Sequence, residues 1–217
     1  MQTMTFAQMM RVSLVMPVLL VLSVLVVAQA LERLWVFAIS GGLPRGAWSK
    51  IRKALRKGDK GAASAAARQA SGVMGEALSR MLGLADPTPE RLVEVFQLYR
   101  QRLQMDLSRR VGFFGTVSFI SPLIGLMGTV LGIIRAFHDL AAQGAGGPAV
   151  VAAGISEALV TTAAGIAVAV VSAVLYNYFA LTIKHRLNTV DLWVFELSEL
   201  LPKVVGQARP QTREEAA

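Results

Sequence analysis

The sequence predicts an all-α membrane protein with three transmembrane helices and a helical, water-facing domain. Two observations carry this prediction. The 217-residue chain is 54% apolar and has a mean hydropathy of +0.52, which is more apolar than most soluble domains. Its charged residues, 17% of the chain, are segregated into basic stretches that alternate with stretches almost free of charge. Such segregation is typical of proteins whose helices cross a bilayer.

The first span is predicted at about Val12–Leu31, a run of twenty residues without a charge. A helix of that length crosses about 30 Å of hydrocarbon. A signal peptide is the alternative, because Ala28-Gln29-Ala30 resembles a cleavage site. The length of the apolar run and the Glu32-Arg33 pair after it favour a retained anchor. Residues 1–39 are therefore assigned to an N-terminal segment that contains the first transmembrane helix.

Residues 40–110 are polar and basic, with fourteen lysines and arginines against six acids, and we expect a helical cytoplasmic loop there. The alanine-rich stretch Gly61–Leu82 predicts one helix. A second helix is predicted to start with Thr88 as N-cap and Pro89 at the first helical position. Its apolar residues recur near the helical period at Leu92, Phe96, Tyr99, Leu103 and Leu107.

Two further spans are predicted at residues 111–137 and 149–183. The short glycine-rich connection between them, residues 138–148, requires the two helices to be antiparallel. Residues 184–217 form a helical extension and tail. Because cytoplasmic segments carry an excess of lysine and arginine, the large loop and this tail are expected in the cytoplasm, with the N-terminus and the 138–148 loop in the periplasm.

The apolar residues after the third span have heptad spacing, which allows two interpretations. They are Leu187, Val190, Val194, Leu197 and Leu201. Identical helices from several copies would pack along this stripe in an oligomeric ring. Alternatively, the stripe packs against the helices of the cytoplasmic loop.

The net charge of +8 is assigned to membrane topology rather than to nucleic-acid binding. Basic residues beside apolar spans orient the helices and contact anionic lipid headgroups. The absence of cysteine excludes disulfides, thiolate metal sites and cysteine nucleophiles. Zinc-protease, Walker-loop and serine-hydrolase motifs are absent too. We therefore expect no catalytic residues, no metal and no cofactor, and the sequence does not predict an enzyme.

Glu157 is the one formal charge in the third span. A carboxylate at membrane depth costs about 2.5 kcal/mol or more on insertion scales, so it is expected to face a bundle interior, a wet path or a partner. Desolvation favours the neutral form of a carboxyl group, which makes Glu157 a candidate for holding and releasing a proton. The alternative is a structural or interfacial glutamate.

Three threonines at membrane depth are further candidates for a polar seam. On a helix, Thr161 lies about 40° from Glu157 and Thr162 about 140° away, so geometry favours Thr161 as the neighbour of the acid. Thr129 lies in the second span. A threonine in a membrane helix also commonly bonds to its own backbone, which is the structural alternative for each of them.

Small residues mark the predicted helix contacts. They are Gly128 and Gly132, which form a GxxxG motif, and Gly154, Ala158 and Gly165 in the third span. Such rows let helix backbones approach closely, either within one chain or between subunits.

Two segments resemble the ExbB/TolQ proton-channel family, which includes MotA. Ser118–Phe137 contains Ser-Pro-Leu-Ile-Gly-Leu followed by Gly-Thr-Val-Leu-Gly-Ile, and Gly154–Ile166 reads Gly-Ile-Ser-Glu-Ala-Leu-Val-Thr-Thr-Ala-Ala-Gly-Ile. The resemblance covers about 70 residues, from Gly112 to about Phe179. The order of the spans and the large loop also agree with that family.

The resemblance implies an inner-membrane motor subunit that couples proton-motive force to work at the outer membrane, such as TonB-dependent transport or Tol-type envelope maintenance. It implies a homopentameric ring around an ExbD/TolR-like single-span partner, with a TonB- or TolA-like protein carrying the work. It assigns the pore lining to Thr129, Glu157 and Thr162, whereas helix geometry favours Thr161. The proton-accepting aspartate of the family belongs to the partner.

The chain also departs from the family pattern. Leu131 stands where a tryptophan is usual, Thr161 stands where an alanine is usual, and Val168–Ala173 lacks a frequent proline. These departures leave ExbB and TolQ as alternative subfamilies. The competing hypothesis is a non-conducting membrane scaffold that assembles partner proteins, and it predicts that Glu157 tolerates a neutral replacement.

Overall fold

The computed structural model describes residues 15–39, 44–143 and 147–208, and these residues form seven α-helices. The helices are α1 Val15–Ile39, α2 Arg45–Arg56, α3 Lys60–Arg68, α4 Gly72–Leu82, α5 Pro89–Ser108, α6 Val111–Gln143 and α7 Gly147–Ala208. They divide into two compact units. The apolar unit contains the described residues up to 34 and residues 110–180, and the helical unit contains residues 35–109 and those from 181 on.

Three helices are long and apolar enough to cross a membrane, with candidate spans at Val15–Ala38, Val111–Ala141 and Ala149–Gly206. The predicted all-α fold with three long apolar helices is confirmed for the described residues. Helix α6 continues to Gln143, through the first six residues of the predicted 138–148 loop. The predicted span ended at residue 137 because polar residues follow it. The helix continues through them because its backbone hydrogen bonds form whether the side chains are polar or apolar. Residues 12–14 and 144–146 lie outside the described part of the chain.

Helices α6 and α7 pack together in the apolar unit. Near the start of α6, the ring of Phe114 lies 5.4 Å from that of Phe179, and both side chains are fully buried. A Cβ on the neighbouring Gly115 would lie 3.3 Å from the ring of Tyr176. Aromatic side chains therefore fill this end of the contact between the two helices.

The helical unit has a core of its own, formed by α2–α5 and the C-terminal part of α7. Helix α2 buries Trp48, Ile51 and Leu55 on one face and exposes its basic residues on the other. The indole rings of Trp48 and Trp193 are stacked, with centroids 5.4 Å apart and planes 12° apart. Burial of apolar side chains at about 25 cal/mol per Å² is the main stabilising contribution in such a unit.

The helix predicted at Gly61–Leu82 is wrong, because the structure has two helices there. Helix α3 ends at Arg68, and α4 begins at Gly72, whose φ is +78°. Alanine favours helix before this turn, whereas the Ser71-Gly72 pair at the turn is of a kind that favours a break. The α5 prediction is confirmed, because the Thr88 side chain accepts a 3.4 Å hydrogen bond from the Arg91 backbone N–H.

The heptad stripe of α7 lies inside the core of its own chain. Leu187, Val190, Val194, Leu197 and Leu201 are all buried, and the last four belong to the core of the helical unit. The interpretation in which this stripe packs between copies of the chain is therefore wrong. The alternative, packing against the helices of the large loop, is what the structure has.

Candidate functional site

Helices α6 and α7 approach closely because small residues face each other across their contact. A Cβ added at Gly132 would lie 2.7 Å from the Cβ of Ala158, and one at Gly154 would lie 2.5 Å from the Cβ of Ala136. Real Cβ atoms do not approach that closely, so only glycine fits at these two positions. The pairs also fix an antiparallel register, in which residues 132 and 136 of α6 lie opposite 158 and 154 of α7.

The same contact continues toward the middle of the two helices. A Cβ at Gly165 would lie 2.6 Å from the carbonyl oxygen of Ser121 and 3.0 Å from the Cα of Gly125. A Cβ at Gly128 would collide with the hydroxyl of Thr161. The five packing residues that the sequence singled out, Gly128, Gly132, Gly154, Ala158 and Gly165, therefore lie at a contact within one chain.

Two of the candidate threonines bond across this contact to the same backbone atom. The Thr162 hydroxyl donates a 2.9 Å hydrogen bond to the carbonyl oxygen of Gly125. The Thr161 hydroxyl lies 3.4 Å from the same oxygen and donates a 2.7 Å bond to the carbonyl of Ala158 on its own helix. The Gly125 carbonyl therefore accepts from Thr162 and lies within reach of Thr161, whose single hydroxyl proton is better placed toward Ala158. Nothing in the sequence pattern singles out Gly125 for this role.

The third threonine bonds within its own helix. The Thr129 hydroxyl donates a 2.6 Å bond to the carbonyl oxygen of Leu126, and its residue is 8% exposed. Each hydroxyl keeps lone pairs with which it can still accept a hydrogen bond.

Glu157 lines a cavity of about 680 Å³ beside the small-residue contact. The other polar side chains that line it are Arg135, His138 and Asp139. None of the three threonines lines this cavity, so in the described part of a single chain they and Glu157 are not brought together.

One carboxylate oxygen of Glu157, Oε1, is buried without a hydrogen-bond partner among the described residues. Arg135 on α6 lines the same cavity as this carboxylate. A buried carboxylate oxygen without a donor is costly. Glu157 is therefore placed to bind a proton or to accept a hydrogen bond from a group that enters the cavity.

The sequence did not single out Arg135 as a neighbour of Glu157. Arg135, His138 and Asp139 lie at or just after the end of the second predicted span, on a different helix from Glu157. Only the register set by Gly132 and Ala158 brings these three residues and the acid to one cavity. Ser121 is a second omission, because its hydroxyl is buried without a partner among the described residues.

No cluster of histidine, cysteine or acidic side chains able to hold a metal ion occurs in the described ranges. The polar groups of the cavity are the carboxyl groups of Glu157 and Asp139, the guanidinium of Arg135 and the imidazole of His138. Of the two carboxyl groups, that of Glu157 lies within the apolar stretch of its helix, where a carboxyl group is suited to proton binding.

Residues 63–191 match the profile of the MotA/TolQ/ExbB proton channel family. The chain belongs to this family. The matched region contains both segments that carried the resemblance, and it includes Thr129, Glu157, Thr161 and Thr162. It also includes α4, α5 and the start of the extension of α7.

Relatives in this family align with parts of the chain. It is 45% identical over 74 residues to the biopolymer transport protein ExbB of Salmonella typhimurium, a match that covers 34% of this chain and 30% of that protein. It is 36% identical over 117 residues to the Tol-Pal system protein TolQ of Haemophilus influenzae, covering 52% and 50%. A match to ExbB of Aquifex aeolicus is 33% identical over 88 residues, covering 41% and 60%. The aligned region thus spans between 30% and 60% of the length of these relatives.

Proposed function

We propose that this chain is the proton-channel subunit of an inner-membrane motor of the ExbB/TolQ kind, which couples proton-motive force to work at the outer membrane. The observation that carries the proposal is Glu157, an acid in an apolar helix that lines a cavity and leaves Oε1 without a partner among the described residues. The chain belongs to a family described as proton channels, and a carboxyl group that can bind and release a proton is consistent with that description.

The proton pathway in this proposal contains Glu157 together with Thr129, Thr161 and Thr162. The threonine hydroxyls bond to backbone carbonyls and remain able to accept hydrogen bonds from water or from a partner helix. Because the three do not line the Glu157 cavity, the pathway requires a further surface. A second copy of the chain and a partner helix would supply it.

The proposed assembly is a homopentameric ring around an ExbD/TolR-like single-span partner, with a TonB- or TolA-like protein carrying the work onward. The large loop and the C-terminal extension lie in the cytoplasm in this arrangement, and the end of α6 lies on the periplasmic side. The excess of lysine and arginine in residues 40–110 supports that orientation. A ring would use faces of α7 other than the stripe buried in the helical unit.

Anionic lipid headgroups are proposed partners of the exposed face of α2. Lys50, Lys53 and Lys57 lie within about 60° of one another around the helix, and all three are exposed. Arg52 and Arg56 lie toward α7, where they approach the Glu196 carboxylate at 3.8 and 3.0 Å. The lysines therefore present their charge outward, and a negatively charged bilayer surface attracts such charges by about 1 kcal/mol each.

The test is proton flux in sealed vesicles that hold the chain together with its single-span partner. A pH-sensitive dye inside the vesicles reports flux after a membrane potential is imposed, and vesicles with either protein alone are the controls. The proposal predicts flux only when both proteins are present. It predicts that Glu157→Gln abolishes this flux while the complex still assembles.

The competing function is a non-conducting scaffold that assembles partner proteins. It predicts that the verified complex carries no protons above the rate of empty vesicles, and that Glu157→Gln leaves the complex and its output unchanged. The flux of the wild-type complex therefore decides between the two functions, and the variant tests whether Glu157 belongs to the path.

A further inference from the structure

Arg135 and Glu157 face one cavity from opposite helices. The pairs Gly132–Ala158 and Ala136–Gly154 set the register of α6 against α7. In that register the two charged residues differ by two residue steps, or about 3 Å along the helix axis at 1.5 Å per residue. Both belong to the apolar unit, so a single packed contact positions them.

Arg135 shares its cavity with a carboxylate whose buried oxygen has no hydrogen-bond partner among the described residues. An ionised carboxylate in an apolar contact is costly unless an opposite charge compensates it. A guanidinium stays charged at every pH that a protein survives. Arg135 is thus a constant positive charge beside a group that can gain or lose a proton.

The other charged groups of the apolar unit that the structure describes are arranged differently. His138 and Asp139 also line the cavity, but Nδ1 of His138 lies 3.8 Å from an Asp139 carboxylate oxygen and both side chains are largely exposed. On α1 the described charges are Glu32 and Arg33, and Glu32 pairs with Arg110 at the start of α6. Arg110 is twenty-five residues from Arg135 along α6, or about 37 Å.

We propose that Arg135 is the counter-ion of Glu157, whose positive charge offsets part of the cost of burying the carboxylate and so sets the proton concentration at which the site is loaded. Arg135 is a positioning residue that acts through Glu157. Its effect on flux rests on the proposed function, whereas the coupling between the two charges is testable without any partner.

The test is an infrared titration of the purified full chain in phosphatidylcholine vesicles. Glu157→Gln identifies the carboxyl absorption that belongs to Glu157. In Arg135→Gln and Arg135→Met the absorption of the protonated carboxyl group should persist to a pH higher by about one unit or more. The reason is that a nearby opposite charge shifts the pH at which a carboxyl group loses its proton by about that much. Arg135→Lys keeps the charge and should behave like the wild type.

His138→Gln is the matched control, because it changes another polar side chain of the same cavity by a residue of similar size. It should leave the Glu157 absorption where it is in the wild type. The proposal is overturned if both neutral Arg135 variants titrate like the wild type, or if His138→Gln moves the titration by as much. Two different neutral replacements are used so that the test remains possible if one variant fails to insert into the membrane.

Flux measurements separate this proposal from the proposed function. If Arg135→Gln moves the titration while the wild-type complex carries no protons, the counter-ion proposal is supported and the channel function is contradicted. If the wild-type complex conducts, and Arg135→Gln changes neither the titration nor the pH dependence of flux, the counter-ion proposal is contradicted and the channel function is supported.

Discussion

The hydroxyl of Thr162 on α7 donates a 2.9 Å hydrogen bond to the carbonyl oxygen of Gly125 on α6. The bond joins two apolar helices where their backbones lie close together, since a Cβ on Gly125 would lie 3.0 Å from the Cα of Thr162. A threonine selected for a proton path thus also has a structural role in the single chain.

Thr162→Val should weaken the contact between α6 and α7. Interhelical hydrogen bonds in membrane proteins contribute about 0.6 kcal/mol on average and up to about 1.7, and we expect a loss in that range in the free energy of unfolding in mixed detergent micelles. Thr162→Ser keeps the hydroxyl and should recover most of it. Thr129→Val removes a bond within one helix. Equal losses for Thr129→Val and Thr162→Val would contradict the interhelical role.

Gly165→Ala should lower stability much more than the same substitution at Gly112. The new methyl group at residue 165 would lie 2.6 Å from a backbone oxygen of α6, and overpacking of this kind costs about 1–3 kcal/mol. No atom outside the helix's own backbone lies within 4 Å of the Cβ position at Gly112, so alanine there should be neutral or stabilising by up to about 1 kcal/mol. Unfolding midpoints measured side by side check this difference. Similar losses at the two sites would show that α6 and α7 are not in close contact.

Arg110 has a φ of +61° at the turn between α5 and α6, and its guanidinium donates a 3.2 Å bond to Glu32. Arg110→Ala should destabilise the chain more than Arg110→Gly, by about 1–2 kcal/mol, because a left-handed conformation is costly only when a Cβ is present. Glu32→Gln removes the ion pairs of Glu32 with Arg110 and with Arg33 and leaves the backbone conformation of residue 110 unchanged, so it separates the effect of the charges from that of the turn. Thermal unfolding compares the three variants. Equal stability of the alanine and glycine variants would contradict the left-handed turn.

The helical unit should depend on its core more than on its ion pairs. Leu197 is fully buried, and Leu197→Ala should cost about 2–5 kcal/mol. Leu98→Ala, at a residue that is 62% exposed, removes the same atoms and should have little effect. Asp191→Asn breaks the two bonds from Arg100, of 2.7 and 3.0 Å, but this half-exposed pair contributes at most about 1 kcal/mol.

The Arg100–Asp191 pair should persist across the neutral range. The hydrogen bond to Asp191 raises the pKa of Arg100 above its usual value. A raised pKa in the folded state gives a stabilising contribution that is complete at lower pH and is lost only as the pH rises through that value. The difference in unfolding free energy between the wild type and Asp191→Asn should therefore be the same at pH 7 and at pH 9. A difference that falls over that interval would contradict the assignment.

Hydrophobic runs predict the long helices well, because a membrane-crossing helix must be continuous and apolar. The 3.6-residue spacing from Leu92 to Leu107 likewise predicts the buried face of α5, since one face of the helix packs on the core. The turn at Gly72 has a local signal, because Ser-Gly pairs favour turns, but the alanine-rich residues before it favour a continuous helix. Packing of the whole unit decides between these two outcomes.

Candidate residues for the site can be selected from the sequence, but their arrangement cannot. An isolated acid in an apolar span is conspicuous, so Glu157 can be chosen from the sequence alone. The role of Gly125 depends on which carbonyl lies opposite Thr161 and Thr162, and the proximity of Arg135 to Glu157 depends on the register of two helices. Both follow from contacts between residues distant in sequence, for which a single sequence holds no direct signal.

The most direct test of the central claim is proton flux through the verified complex with Glu157→Gln, compared with the wild type and with Asp139→Asn. The second variant makes the same acid-to-amide change at another residue of the cavity. The channel account predicts that Glu157→Gln reduces flux to the level of empty vesicles while Asp139→Asn retains most of it. Wild-type flux in an assembled Glu157→Gln complex would contradict the account and assign Glu157 a structural role.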